Sequence, residues 1–123
     1  MVRGILEDEP GALVIPGPVS AEIDYMLRRR LDTRAARAFL ADLAEGRFQV
    51  DGLTREEHGL VLSLHDRYVD LDLGLADLSV IVLAHRHRTR RLLTFDERDF
   101  RVVTPIQGGA FTLLPADLQL TRT

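Results

Sequence analysis

Apolar residues recur along this chain in two rhythms, one of strands and one of helices. Ala12-Leu13-Val14-Ile15 is a continuous apolar run that stops at Pro16-Gly17-Pro18, which predicts a buried strand and then a turn. Pro18 suits the first turn of a helix. The stripe Val19, Ile23, Met26 and Leu27 carries that helix to about Leu31. Asp32 caps a second helix, with Ala36, Phe39, Leu40 and Leu43 on its apolar face and Gly46 at its end. Phe48 to Leu53 alternates and predicts a strand. Thr54 and Glu57 form a capping box that opens a third helix, with Leu60, Val61, Leu64 and Tyr68 facing inward. The segment from Gly74 to Ala84 is apolar nearly all round, so its helix is buried. Arg91 to Phe95 and Phe111 to Leu114 predict two more strands, the second after the Gly108-Gly109 turn.

Strands separated by helices predict an α/β domain with a parallel, doubly wound sheet, and residues 1–123 make one such domain. Ligands of such sheets bind beyond the carboxyl ends of the strands. Three acids stand out against that pattern: Glu22, Asp77 and Asp96. Glu22 and Asp96 follow strands, and Glu22 lies at the edge of its helix's apolar stripe while Asp24 lies on the far side. Asp77 opens the buried helix. Burying an unpaired carboxylate costs several kcal/mol, roughly, and no Arg lies one turn away on the same helix. A cation shared among convergent acids supplies the compensation. All-oxygen ligation selects a hard ion, Mg²⁺ or Mn²⁺, and such a site suits phosphodiester hydrolysis.

Composition narrows the chemistry. There is no cysteine, which excludes disulfides, thiolate nucleophiles and zinc-thiolate sites. All 16 basic residues are Arg, which excludes Schiff-base chemistry and a Walker-type phosphate loop. The absence of lysine also argues against a response-regulator receiver and against haloacid-dehalogenase-type phosphatases. A net charge of −3 gives no general affinity for nucleic acid, so any such binding must use local Arg patches. No signal peptide and no membrane-length apolar stretch is visible, and a cytoplasmic location is expected.

The remaining candidates have plainer explanations. Arg28-Arg29-Arg30 reads as a solvated helix end. His85 and His87 lie two apart on a helix and read as surface residues near its C-terminus. Ser20, Ser63 and Ser79 lack a nucleophile-elbow context.

Four segments together carry a resemblance: Leu13-Val14-Ile15-Pro16, Val19-Ser20-Ala21-Glu22-Ile23, Leu73-Gly74-Leu75-Ala76-Asp77, and Leu93-Thr94-Phe95-Asp96 with Phe100 four residues on. From about residue 12 to 114 the chain resembles the PIN-domain family, and within it VapC-type toxins of bacterial toxin–antitoxin pairs. The resemblance implies a three-layer α/β/α fold with a mainly parallel sheet. It implies an endoribonuclease dependent on Mg²⁺ or Mn²⁺ and restrained by a VapB-type antitoxin. Glu22, Asp77 and Asp96 take the places of the family's catalytic metal ligands, and Thr94 that of a supporting hydroxyl. Asp99 lies close to the last of these. A homodimer is expected by analogy.

One departure stands at the start. The family opens with a central strand ending in Asp and then Ser or Thr. That strand and its acid are expected to be missing here, which would weaken the isolated chain. A second function follows from this departure: a catalytically impaired PIN remnant that serves as an antitoxin-binding or dimerisation module.

Overall fold

The computed structural model describes residues 5–7, 13–94, 98–114 and 117. Its elements in chain order are β1 (Ile5–Glu7), β2 (Leu13–Pro16), α1 (Gly17–Arg30), α2 (Thr33–Ala44), β3 (Gln49–Asp51), α3 (Arg55–Arg67), a 3-10 turn (Val69–Leu71), α4 (Leu75–Arg86), β4 (Arg91–Leu93), α5 (Arg98–Val102) and β5 (Thr112–Leu114). The strands form one sheet in the order β3-β2-β1-β4-β5. β2 pairs with β3, and β4 with β5, in parallel. β1 lies between them, antiparallel to both β2 and β4. Because both neighbours oppose β1, β2 and β4 point the same way and their carboxyl ends share one edge. The helix-connected strands are therefore all parallel, as the alternation of elements predicts.

The central strand differs from the sequence expectation. A gap was predicted there, and Ile5–Glu7 occupies it, with Leu6 opposite both Val14 and Leu92 and Ile5 opposite Leu93. Three residues are too few for a period of two to show. The direction of β1 has a simple cause. Only residues 8–12 join it to β2, and a parallel pair needs a crossover of roughly a dozen residues or more.

The core is organised around α4. Every residue from Ala76 to Ala84 is buried, and the helix packs against α1, α3, β1 and β2. Val80, Ile81, Leu83 and Ala84 have no exposed surface. Each large aliphatic among them stabilises the fold by roughly 1.5–3 kcal/mol. Ser79, buried on the same helix, donates its hydroxyl to the Ala76 carbonyl at 2.7 Å, so its burial leaves no orphan donor.

The helix ends follow the sequence closely. Asp32 accepts from the Ala35 amide at 2.8 Å. Thr54 accepts from the Glu57 amide at 3.1 Å while Glu57 accepts from the Thr54 amide at 2.9 Å, completing the capping box. Two stripe residues depart from expectation: Leu40 and Leu60 are exposed. Helix α4 ends in a Schellman motif, in which the Thr89 amide donates to Ala84 O at 3.0 Å and the Arg88 amide to His85 O at 3.2 Å. This motif puts Arg88 in the left-handed region, at φ 54°, where glycine is the usual occupant and a side chain costs about 1–2 kcal/mol. Among the described residues no helix is long and apolar enough to cross a membrane.

Truncating Ile81 tests the role of α4. Ile81→Ala should lower the free energy of unfolding by about 2–5 kcal/mol, read from urea denaturation midpoints. An unchanged midpoint would show that α4 is not the centre of the core.

Candidate active site

The three sequence-predicted acids fare differently. Pro16 ends β2 and is also the N-cap of α1, so Glu22 hangs from a helix that leaves the carboxyl edge of the sheet without a loop. Because α1 begins at Gly17, Glu22 stands in its second turn, and the first turn holds no acid. Glu22 and Asp24 are both half-buried, and Asp24 pairs with Arg28 at 3.1 Å. Asp77 occupies the first turn of α4 and is 6% exposed, as the apolar pattern around it predicts. Helices α1 and α4 pack against each other, which puts both acids on touching elements. Neither carboxylate is without a partner within the fold. Compensation for burying Asp77 therefore does not fall to a cation alone.

Asp96 lies outside the described residues. It follows Thr94 by two positions, and Thr94 is buried just past β4, its amide donating to Leu114 O at 2.9 Å. Asp99 is half-buried in the first turn of α5. Among the described residues no three His, Asp or Glu side chains form a group that could hold a metal ion. Glu22 and Asp77 therefore form no group of three with another described acid or histidine.

A second polar cluster escaped the sequence reading. At the carboxyl end of β3, Asp51 Oδ2 lies 2.7 Å from His87 Nε2 and 3.3 Å from Arg86 Nη1. A carboxylate can only accept, so Nε2 carries the proton in this contact. Arg86 also donates from Nη2 to Gly52 O at 2.7 Å and from Nε to Glu57 Oε2 at 2.9 Å, with a second bond from Nη2 to Glu57 Oε1. His87 is thus not the surface residue that its helix-end position predicts, although His85 is exposed. The signal was present but weak: two adjacent polar residues at the end of a buried helix must leave in different directions, and one of them meets β3. The bidentate Arg86 guanidinium holds the Glu57 carboxyl at about 2, against an ordinary 4.5, and outweighs the opposing effect of burial. The Thr54 amide adds to the lowering.

The cluster ties the C-terminal end of α4 to β3 and to the start of α3. Asp77 stands about 13 Å along the helix from that anchor, at 1.5 Å per residue. Elsewhere, Arg28, Arg29 and Arg30 are exposed, as expected of a solvated helix end. Asp117 accepts two bonds from Arg101, at 2.6 and 2.9 Å, and one from the Leu113 amide at 2.8 Å. Those donors, Arg101 first, hold its carboxyl below the usual carboxylate range.

With this geometry in view, residues 1–104 match the PIN-domain family. The chain is also 36% identical, over 114 residues, to the ribonuclease VapC26 of Mycobacterium tuberculosis, a match that covers 93% of this chain and 84% of that protein.

The Arg86–Glu57 pair has a pH signature. Folding lowers the Glu57 pKa from 4.5 to about 2, so its contribution to stability is complete above pH 4.5 and is lost as the pH falls toward 2. Urea unfolding of Glu57→Gln should show a flatter stability profile than the parent across that window. Parallel profiles would mean that the pair contributes nothing there.

Proposed function

This chain belongs to the PIN-domain family, and we propose that it is the toxin component of a type II toxin–antitoxin pair, an endoribonuclease that hydrolyses RNA phosphodiester bonds. The observation that carries the proposal is Asp77: an acid buried in the first turn of a helix that is otherwise apolar from Ala76 to Ala84. A hydrophobic isostere of a buried, partnered carboxylate is often as stable or more so, so stability alone does not call for an acid there. The likeness to a ribonuclease over 93% of the chain supports the same substrate class.

Glu22, Asp77 and Asp96 would hold Mg²⁺ or Mn²⁺, and their all-oxygen donor set fits a hard ion. Such an ion, when bound, activates water and neutralises charge that develops on the phosphoryl group. The protein's own share is positional. Asp77 is fixed by the packing of α4, and Glu22 by the direct passage of β2 into α1. Thr94, two positions before Asp96 in sequence, is itself held to β5 through its backbone amide. The free amides at the start of α4 favour negative charge in its first turn, where Asp77 stands.

The partners follow from the same proposal. A cleft of about 270 Å³ along α1, lined by Ile23, Met26, Leu27, Arg30 and Leu31, is a surface that a helix of a VapB-type antitoxin would cover. The chain pairs with a second copy of itself, and both proteins act in the cytoplasm. A second function is favoured by one feature of the sheet. At the edge where β2 and β4 end, the central strand presents Ile5, paired with Leu93, and not an acid. A PIN domain with an incomplete acid set would serve as an antitoxin-binding or dimerisation module.

The purified chain incubated with a structured RNA pool and Mn²⁺ should cleave it. EDTA should abolish cleavage, and Asp77→Asn should slow it by about 100-fold or more. A folded chain that cuts nothing would remove the enzyme function and leave the interaction module.

A further inference from the structure

We propose that the cleft at the C-terminal end of α4 is a second binding site for the RNA strand, one that grips its phosphodiester backbone away from the acids; this rests on the ribonuclease function proposed above. The cleft measures about 530 Å³ and is lined by His85, Arg86, Arg88, Arg90 and Gln107. None of these is acidic. Arg86 is already committed to Glu57 and Asp51, so the available charge is that of Arg88 and Arg90, with His85 beside them.

The cleft is built around those residues in three ways. Arg90 is clamped: its Nε donates to Gly108 O at 2.6 Å and its Nη2 to Gln107 O at 3.2 Å. The turn wraps the guanidinium so closely that a Cβ on Gly109 would lie 2.8 Å from Arg90 Nε, and Gly108 and Gly109 both have positive φ. A guanidinium has five N–H donors, so this clamp leaves it positioned with donors to spare. Gln107 braces the wall of the cleft. Its Nε2 donates to Thr89 O at 2.8 Å, which ties the turn that carries Gly108 and Gly109 to the end of α4. Arg88, finally, holds the left-handed position of the Schellman motif. Its exposed charge is kept where glycine would relax the backbone.

Clamped and exposed guanidinium groups match phosphate oxygens. Phosphates recur in each nucleotide of one strand, and the ribonuclease function proposed above makes that strand RNA. Arg88 is about 16 Å along α4 from Asp77, so a strand that touches both sites extends several nucleotides beyond the scissile bond.

The test measures binding of a fluorescein-labelled 12-nucleotide single-stranded RNA to the full chain in EDTA, by anisotropy across a salt series. Thermal midpoints and Mn²⁺-dependent cleavage are measured on the same preparations. Arg88→Gly should weaken binding about 5-fold or more and reduce the slope of log K against log salt by about 0.7. The same variant should melt a few degrees higher, because glycine is unstrained at that position. A merely structural residue would not lose binding while gaining stability. Arg90→Gln should weaken binding similarly, and Arg28→Gln, on α1, should bind like the parent. If the parent binds and cleaves RNA but Arg88→Gly and Arg90→Gln bind it equally well, the cleft is overturned and the ribonuclease function stands. If the parent neither binds nor cleaves, both fall. Variants that keep RNA binding but lose binding to polyglutamate would overturn the RNA assignment in favour of an acidic protein segment.

Discussion

The burial of α4 is the constraint on which the rest of the structure depends. From Ala76 to Ala84 no side chain of this helix is open to water, so the sheet, α1 and α3 must all close around it. Every polar group along the rod must then be satisfied inside the protein. Ser79 turns back on the Ala76 carbonyl, and Asp77 is the single charged group within the buried stretch. The helix reaches water only at its ends. The charged side chains of α4 stand toward those ends, Asp77 in the first turn and Arg86 in the last, with His87 and Arg88 just beyond.

A buried rod also needs fixed ends. At the C-terminal end, Arg86 and His87 reach Asp51 on β3 and Arg86 reaches Glu57 at the start of α3. Charge-assisted bonds of this kind are stronger than neutral ones, and they join three elements that are distant in sequence. The capping box of α3 uses the same Glu57 carboxylate, so the cap of one helix and the anchor of another share one group. Because α4 is rigid between its ends, Asp77 and the Arg88–Arg90 cleft keep a fixed separation.

Much of this was legible in the sequence. The apolar wrap of Leu75 to Ala84 announced a buried helix, and Thr54 with Glu57 announced the start of α3. The burial of Asp77 and the half-burial of Glu22 follow from their places beside apolar stripes. What the sequence hid was non-local. β1 is three residues long and takes its direction from the shortness of the link to β2, which no hydrophobic pattern records. His87 was misplaced because helix-end position says nothing about a strand 36 residues earlier. Leu40 and Leu60 satisfied the helical period and are nevertheless exposed, since a period assigns a face but not what covers it. Arg88 gave no local sign of its left-handed backbone, which appears only once the Schellman bonds close.

A divalent ion bound through Asp77 should stabilise the folded chain, because it binds the native state and not the unfolded one. Thermal unfolding of the parent and of Asp77→Asn, each with and without Mn²⁺, therefore tests the proposed metal site most directly. A midpoint that rises with Mn²⁺ in the parent and not in Asp77→Asn is the result a carboxylate metal centre predicts. Equal shifts in both, or none in the parent, would contradict it and leave Asp77 as a buried structural acid.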